Sequence, residues 1–547
     1  MKVVIIGGVA GGMSAATRLR RLDNEVEIVV LERSHHVSYA NCGLPYYVGG
    51  VIEDERALLL ETPQSLHDRF RLDVRVNNEV VAIDTGTQTL EVNDLERDIT
   101  YSISYDVLIL SPGALPIVPP IPGIERALPL RTVEDVERMA NAVQPPPESA
   151  VIIGGGFIGV EIAENLVHRG IATTIIEAAG QILAPLDPEM AGPVADEIRR
   201  HGVTLHLGDS VESISRTAVV LASGEVVAAE LVIVAIGVRP DISLARDAGL
   251  SIGERGGIVV DEFNRSSAKN VYAIGDAAEK LDTLDGSSVL VPLANLANRQ
   301  GRVVADHIAG RVVRPRATIG TAIVKVFDLT VAMTGWNEKR LTSQGRAFLA
   351  IHTHPASHAT YYPGAKTMAL KLLVDPDTGA ILGAQGVGVD GVDKRIDVLT
   401  TAIRAGLTAP ELADLELAYA PPFGSAKDPV NMLGYIAENL LSDLIETVQW
   451  SEVDEYRSRG TQFVDVRTSA EFADGSLPEA LNIPIDELRE RIGELSDVET
   501  IVNCEVGQRG YAATLLLNEL GIRALNLDGG MKTWRNSPAS VSPQLVG

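Results

Sequence analysis

The stretch Val3-Val4-Ile5-Ile6-Gly7-Gly8-Val9-Ala10-Gly11-Gly12 decides how the chain is read. Its β-branched apolar run reads as a short strand buried on both faces, and Met13 to Leu22 reads as the helix that follows. Strand, glycine turn and helix make a dinucleotide site. Small residues let the backbone approach a pyrophosphate whose charge rests on the helix N-terminus. Val26 to Leu31 supplies the next strand, and Glu32 closes it about 20 residues beyond the glycines, where a carboxylate can hold a ribose hydroxyl. Val9 stands where the second glycine of the motif is expected.

The pattern begins again after Gln144-Pro145-Pro146-Pro147-Glu148. Ala150 to Ile153 is a strand, Gly154-Gly155-Gly156-Phe157-Ile158-Gly159 the turn, Val160 to Val167 the helix, and Thr173 to Ile176 the next strand, ended by Glu177. Two dinucleotide sites follow, with Gly7, Gly8, Ala10, Gly11, Gly12 and Glu32 in the first and Gly154, Gly156, Gly159 and Glu177 in the second. Glu177 would accept from an adenosine 2′-hydroxyl and repel a 2′-phosphate, and Ala178 and Ala179 offer no cation for one, so NADH is preferred over NADPH. Leu231 to Ile236 before Gly237, and Val271 to Ala277, are further apolar strands broken by glycine. From about Thr321 to Leu440 strands with connecting helices carry no nucleotide signature, and from Trp450 a separate α/β pattern starts.

At 547 residues the chain has room for several cores, and 46% hydrophobic with 22% charged residues is an ordinary globular balance. A formal charge of −26 repels polyanions, which excludes nucleic acid as a partner. The N-terminus enters a buried strand without the pattern of a signal peptide, and no apolar run reaches the length of a membrane span, so a cytoplasmic protein is expected.

Only two cysteines are present, Cys42 in Ser38-Tyr39-Ala40-Asn41-Cys42-Gly43-Leu44-Pro45 and Cys504 in Cys504-Glu505-Val506-Gly507-Gln508-Arg509. Separate, turn-rich flanks favour two reactive thiols over one structural disulfide or two inert core residues.

The two nucleotide patterns, Ser111-Pro112-Gly113-Ala114 after a buried strand, and Gly275-Asp276 resemble the FAD- and NAD(P)-dependent disulfide reductase family over residues 1 to 440. No second cysteine accompanies Cys42, which places the resemblance in the single-cysteine branch. Asn41-Cys42-Gly43-Leu44-Pro45, Tyr361-Tyr362-Pro363-Gly364, Asp393-Lys394-Arg395-Ile396-Asp397 and Ala418-Tyr419-Ala420-Pro421-Pro422 resemble the coenzyme A disulfide reductases. Val464-Asp465-Val466-Arg467, Glu471 and the loop Cys504 to Arg509 resemble a rhodanese domain.

The resemblance implies an α/β protein with two Rossmann-like dinucleotide-binding domains, an α+β dimerisation domain and a C-terminal α/β rhodanese domain. The expected ranges are 1-112 and 250-318 for FAD, 113-249 for NAD(H), 319-440 for dimerisation, 441-449 for a linker and 450-547 for the rhodanese. Ser111, Pro112, Gly113 and Asp276 would join the FAD site, and Gly237 the nucleotide sites. NADH would reduce FAD, FAD would reduce an oxidised Cys42, and the substrate would be coenzyme A persulfide, polysulfide or coenzyme A disulfide. Coenzyme A itself would be either a substrate or a tightly held resident. Cys504, aided by Arg509, would accept and relay sulfane sulfur. Cys42 is expected to be held as thiolate by the flavin and a helix N-terminus, and Glu505 is expected to disfavour small anionic donors.

Tyr361 and Tyr419 would reach the active site across a homodimer interface formed by residues 319-440 and protonate the leaving thiolate. Contacts to coenzyme A carried over from the group are Ser14, Arg18, Arg21, Ser38, Asn41, Asn298 and Lys427, with His358 at the pocket edge. Phe70 stands where a lysine is expected, so Arg71 or Arg69 would substitute, or nucleotide affinity falls. His352 and His354 share one strand face but lack acidic or thiol company, so no metal site is expected and solvated histidines are. The alternatives are an NADH oxidase or peroxidase cycling Cys42 through a sulfenic acid, and a sulfur-carrier or redox-sensing protein.

Overall fold

In strand Lys2–Ile6, Val4 and Ile6 join one core with Val29, Leu31, Leu108 and Leu110, while Val3 and Ile5 join another with Ile28, Val30 and Ile109. A continuous apolar run thus feeds two cores, as a parallel sheet covered on both faces requires, each fully buried Val or Ile contributing roughly 1.5–3 kcal/mol. The computed structural model describes residues 1–541; residues 542–547 of the expected rhodanese range lie outside them.

The chain forms two compact units, residues 1–178 with 202–319, and residues 179–201 with 320–547. The first contains two five-stranded parallel sheets. One runs in the order Val271–Ala273, Val107–Leu110, Lys2–Ile6, Glu27–Leu31, Asp73–Arg75. The other runs Thr204–Leu207, Ala172–Glu177, Ser149–Ile153, Leu231–Val234, Leu128–Pro129. The central strand of each sheet, Lys2–Ile6 or Ser149–Ile153, leads through a glycine turn into helix Ala10–Leu22 or Phe157–His168. Both turns therefore sit at the carboxyl end of a central strand, where open α/β sheets bind ligands.

The second unit holds a five-stranded antiparallel sheet in the order Ala322–Val326, Leu329–Gly335, Ile381–Gly388, Met368–Val374, Leu349–Thr353. Helices Val392–Ala405 and Pro429–Leu441 belong to the same unit. A five-stranded parallel sheet follows, Thr447–Val448, Ala524–Leu527, Thr500–Asn503, Gln462–Asp465, Leu481–Asn482. Helix Pro188–Arg200 lies within the range 113-249 expected for the NAD(H) domain, yet it packs in this second unit. Asp187, its N-cap, accepts from Gln385 Nε2 at 2.7 Å, and Gly192 passes so close to Asn536 that a Cβ would meet its carbonyl oxygen at 2.1 Å. Among the described residues no helix is long and apolar enough to cross a membrane.

Candidate active sites

The two glycine turns repeat each other atom for atom where sterics demand it. Gly7 and Gly154 adopt φ of +99° and +111°, and a Cβ on them would strike the carbonyl oxygens of Ser111 at 2.1 Å and Ala235 at 2.5 Å. On Gly12 and Gly159 it would lie 2.0 Å from the carbonyl oxygens of Gly7 and Gly154, closing helix onto strand. The Gly8 N–H donates to Glu32 Oε2 at 2.8 Å and the Gly155 N–H to Glu177 Oε2 at 2.7 Å, so each strand-end acid also braces its own turn. Val9 has a negative φ of −109°, so the position does not call for the left-handed backbone that favours glycine.

A cavity of about 380 Å³ opens beside the first turn, lined by Gly7, Val9, Glu32, Ser111, Pro112, Gly113 and Arg131. Backbone without side chains, a carboxylate at the strand end and a cation in the lining fit a dinucleotide such as FAD. Asp276 lies in an ion pair with Arg131 at 2.5 Å, and its neighbour Gly275 is held through its N–H to Gln300 Oε1 at 2.9 Å and through its carbonyl to Lys280 Nζ at 2.7 Å. Burial lowers the Lys280 ammonium to about 8, with Asp276 opposing. Arg131, Lys280 and Gln300 carry no motif and escape a reading of the sequence.

Cys42 lies in the 3₁₀ turn Asn41–Gly43 that runs into helix Leu44–Gly49. This helix meets Phe157–His168 closely, since a Cβ on Gly49 would lie 1.9 Å from Asn165 Oδ1. With its amide oriented to satisfy both atoms, Asn41 donates to the Arg131 carbonyl and accepts from Arg131 Nη1, each at 3.0 Å. Cys42 is exposed, yet burial of its sulfur followed by the charge of Glu161 raises its pKa, Arg131 lowering and Asp276 raising it further. The protein's own side chains therefore work against the expected thiolate. Glu161, also unmarked in the sequence, is pushed up to about 7 by burial, while its 3.3 Å hydrogen bond from the Tyr46 hydroxyl pulls it down and Glu164 pushes it up.

Of the residues expected to touch coenzyme A, Ser14 Oγ donates to Asn298 Oδ1 at 2.8 Å, where helices Ala10–Leu22 and Ala294–Ile308 cross over Gly301. Arg18 is bound to Asp306 at 2.7 Å. Arg21 and Arg69 lie 6.0 and 5.9 Å from the centre of the Phe70 ring, a cation–π cluster where lysine was expected, and Arg71 adopts φ +49° beside it. Ser38, at φ +50°, donates its N–H to Gly8 at 2.8 Å. Gly237 has φ +112°.

In the second unit, Tyr361 and Tyr419 are brought together, hydroxyl to hydroxyl at 2.8 Å, both exposed. That bond raises the Tyr361 pKa. His358 is buried, its Nδ1 3.1 Å from the Ala359 carbonyl and its ring edge-on to Tyr362, and Lys427 lies 6.0 Å from the Tyr435 ring. His352 and His354 overturn the expectation of solvated histidines: His352 is 3% exposed and clamped by two carboxylates, and burial pushes His354 down to about 3.

Cys504 follows strand Thr500–Asn503, is 0% exposed and packs with Val464, Val466 and Val502. Gly507, at φ +89°, turns the chain into helix Gln508–Glu519, whose first N–H groups have no intrahelical partner. A Cβ on Gly530 would lie 2.4 Å from the Cys504 carbonyl oxygen, so the Gly529-Gly530 turn forms a wall of the loop. Arg509 reaches Cys504 electrostatically but is held bidentate by Glu471 at 2.6 and 2.9 Å, which drops Glu471 to about 2. Glu505 is paired with Arg467 at 3.2 Å and Arg535 at 2.9 Å. Two guanidinium groups thus offset the charge that the sequence expected to repel small anionic donors.

This architecture is that of a two-nucleotide flavoprotein reductase joined to a rhodanese-like domain. The chain belongs to the pyridine nucleotide-disulphide oxidoreductases, whose family model matches residues 1–301, with the family's dimerisation domain at 321–429 and a rhodanese-like domain at 449–537. A coenzyme A disulfide reductase of Staphylococcus aureus strain JH9 is 34% identical over 441 residues, 80% of this chain and 100% of that protein. The crystal structure of reduced Bacillus anthracis CoADR-RHD superposes with TM-score 0.97 at 47% identity, covering 98% of each chain. A NAD-dependent persulfide reductase from A. fulgidus superposes with TM-score 0.92 at 37% identity, covering 98% of this chain and 100% of that one.

Proposed function

We propose that the chain uses NADH to reduce coenzyme A persulfide, polysulfide or coenzyme A disulfide at Cys42, and that Cys504 accepts and relays sulfane sulfur. The observation that carries this reading is one exposed cysteine without a thiol partner in a dinucleotide-binding unit, with a second cysteine in a rhodanese loop of the same chain. Similarity to the reductases of B. anthracis and A. fulgidus over 98% of the chain supports it.

A lone thiolate attacks the inner sulfur of a persulfide, forming a mixed disulfide with coenzyme A and expelling hydrosulfide; with coenzyme A disulfide it expels the coenzyme thiolate instead. FAD, when bound, supplies the two-electron reduction, drawn from NADH, that restores the Cys42 thiolate and frees coenzyme A. Overall, one persulfide, one NADH and one proton become thiol, hydrogen sulfide and NAD⁺. Glu161, poised near neutrality within electrostatic reach of Cys42, suits proton exchange there. Arg131 steadies Asn41 and Asp276. Tyr361 and Tyr419 would donate protons to the leaving thiolate of the partner subunit's site in a homodimer. Glu177 favours NADH, its carboxylate repelling a 2′-phosphate.

The test is anaerobic turnover of coenzyme A disulfide, coenzyme A persulfide, polysulfide and peroxide by wild type, Cys42→Ser and Cys504→Ser. Cys42→Ser should lose every NADH-dependent reduction, and Cys504→Ser should lose polysulfide turnover while keeping that of free coenzyme A persulfide. Full persulfide reduction by Cys42→Ser, or peroxide as the only substrate consumed, would sink the reading.

A further inference from the structure

Strand Leu349–Thr353 ends its antiparallel sheet, and an edge strand leaves alternate backbone groups unpaired. Here the parallel-sheet domain supplies their partners. Gln449 Nε2 donates to the Ala350 carbonyl at 3.0 Å, and the His352 N–H donates to the Asp528 carboxylate at 3.0 Å. The His352 ring then bridges two acids, Nδ1 to Asp528 at 2.6 Å and Nε2 to Glu189 of helix Pro188–Arg200 at 3.0 Å.

Asp528 leads directly into the Gly529-Gly530 turn. Gly529 is pressed against the strand, since a Cβ there would lie 2.7 Å from His352 Cβ, and Gly530 is pressed against the Cys504 carbonyl. Beyond the turn, the Met531 N–H donates to Cys504 at 2.8 Å and the Lys532 N–H to Glu505 at 2.9 Å. His354, just beyond the end of the strand, contacts Thr533 Oγ1 at 2.8 Å.

We infer that His352 is a positioning residue for the sulfur-acceptor loop: clamped between Glu189 and Asp528, it sets the Asp528-Gly530 turn, and through that turn the loop that begins at Cys504. The inference rests on the reading of Cys504 as a sulfur acceptor.

The charges around His352 give the clamp a pH range. Burial would lower its pKa, but Asp528 and Glu189 outweigh burial and the opposing Lys371, raising it to about 9. Lys371 itself lies among Asp187, Glu189 and Glu338 at 2.9, 2.5 and 2.7 Å, filling with an ammonium a carboxylate group that could otherwise hold a metal ion. Trp450 Nε1 donates to the other Glu189 oxygen at 3.1 Å. His354 is kept neutral, and burial lowers Lys532, with Glu505 opposing. A histidine raised on docking favours the docked arrangement fully below its ordinary value of 6.5, and that contribution is lost as pH rises through about 9.

The experiment compares full-length wild type, His352→Ala, His352→Gln and Asp528→Asn in three ways: persulfide formation on Cys504 against pH, NADH-dependent turnover of coenzyme A disulfide, and limited proteolysis at the exposed residues 442–444. His352→Ala should slow Cys504 persulfidation about tenfold, below the roughly hundredfold cost of a full 1 Å misplacement, and erase the fall in rate near pH 9, while disulfide turnover stays within about twofold. His352→Gln, whose amide still donates to a carboxylate, should recover part of the rate. Unchanged Cys504 kinetics and pH profile in His352→Ala and Asp528→Asn would overturn the inference. If wild-type Cys504 takes up no sulfur, the acceptor reading fails by itself. Faster proteolysis at 442–444 in the variants would still report the lost clamp, and identical cleavage would refute it.

Discussion

Cys42 is exposed, with Glu161, Asp276 and Arg131 close enough to tune its proton, whereas Cys504 is fully buried in an apolar cluster beneath a loop whose charged side chains are paired off. On the proposed function the two thiols solve opposite problems. As proposed, the first would meet a substrate from solvent and exchange a proton with it, and the second would hold a reactive sulfur away from water until a partner arrives. Burial costs Cys504 little because a thiol behaves as a small hydrophobe, while the surrounding ion pairs carry the polarity of the loop.

The contrast is broken or sharpened most strongly by alkylation. Iodoacetamide should modify Cys42 of the native protein about 100-fold faster than Cys504, since only an accessible thiol reacts without local opening. Peptide mass spectrometry against time reads both rates, and equal rates would erase the distinction.

Next in size is Arg467→Ala. Arg467 is buried and bidentate on the buried Asp465, at 2.7 and 3.0 Å, and also pairs with Glu505. Its removal leaves a buried carboxylate uncompensated, which should cost the rhodanese domain about 3–5 kcal/mol and speed Cys504 alkylation. Calorimetry of the full chain should show that domain's transition falling while the other stays in place. An unchanged transition would mean that water already screens the pair.

The smallest expected effect concerns Glu161→Gln. Removing a negative charge stabilises a nearby thiolate, so the pH midpoint of Cys42 alkylation should fall, giving a few-fold more thiolate near neutrality, where one unit is a factor of ten. Wild type should show the repulsion growing as pH rises through about 7, where Glu161 ionises. A midpoint that does not move would place Glu161 outside the proton economy of Cys42.

Much of the scaffold was open to reading in advance. The runs Val3 to Ile6, Ala150 to Ile153 and Thr500 to Asn503 lie in strands Lys2–Ile6, Ser149–Ile153 and Thr500–Asn503, because contiguous β-branched residues between glycines have few other places to go. The α/β class and the family membership follow from such local signals. The site was legible only where a motif marks it: the glycines, the strand-end acids and the two cysteines. Arg131, Glu161, Lys280 and Gln300 were not, since each acts through a neighbour far along the chain. His352 and His354 were misread because a histidine on an edge strand or just past its end looks solvated until another domain covers it.

The sequence by itself determined where the backbone turns, which strands are buried on both faces and which thiols stand apart, since these depend on sterics and apolar patterning within a few residues. Tertiary structure alone decided the electrostatics: Arg131 meeting Asp276, Glu505 neutralised by Arg467 and Arg535, and His352 caught between Glu189 and Asp528. Charges act through space, and only folding brings these partners within range.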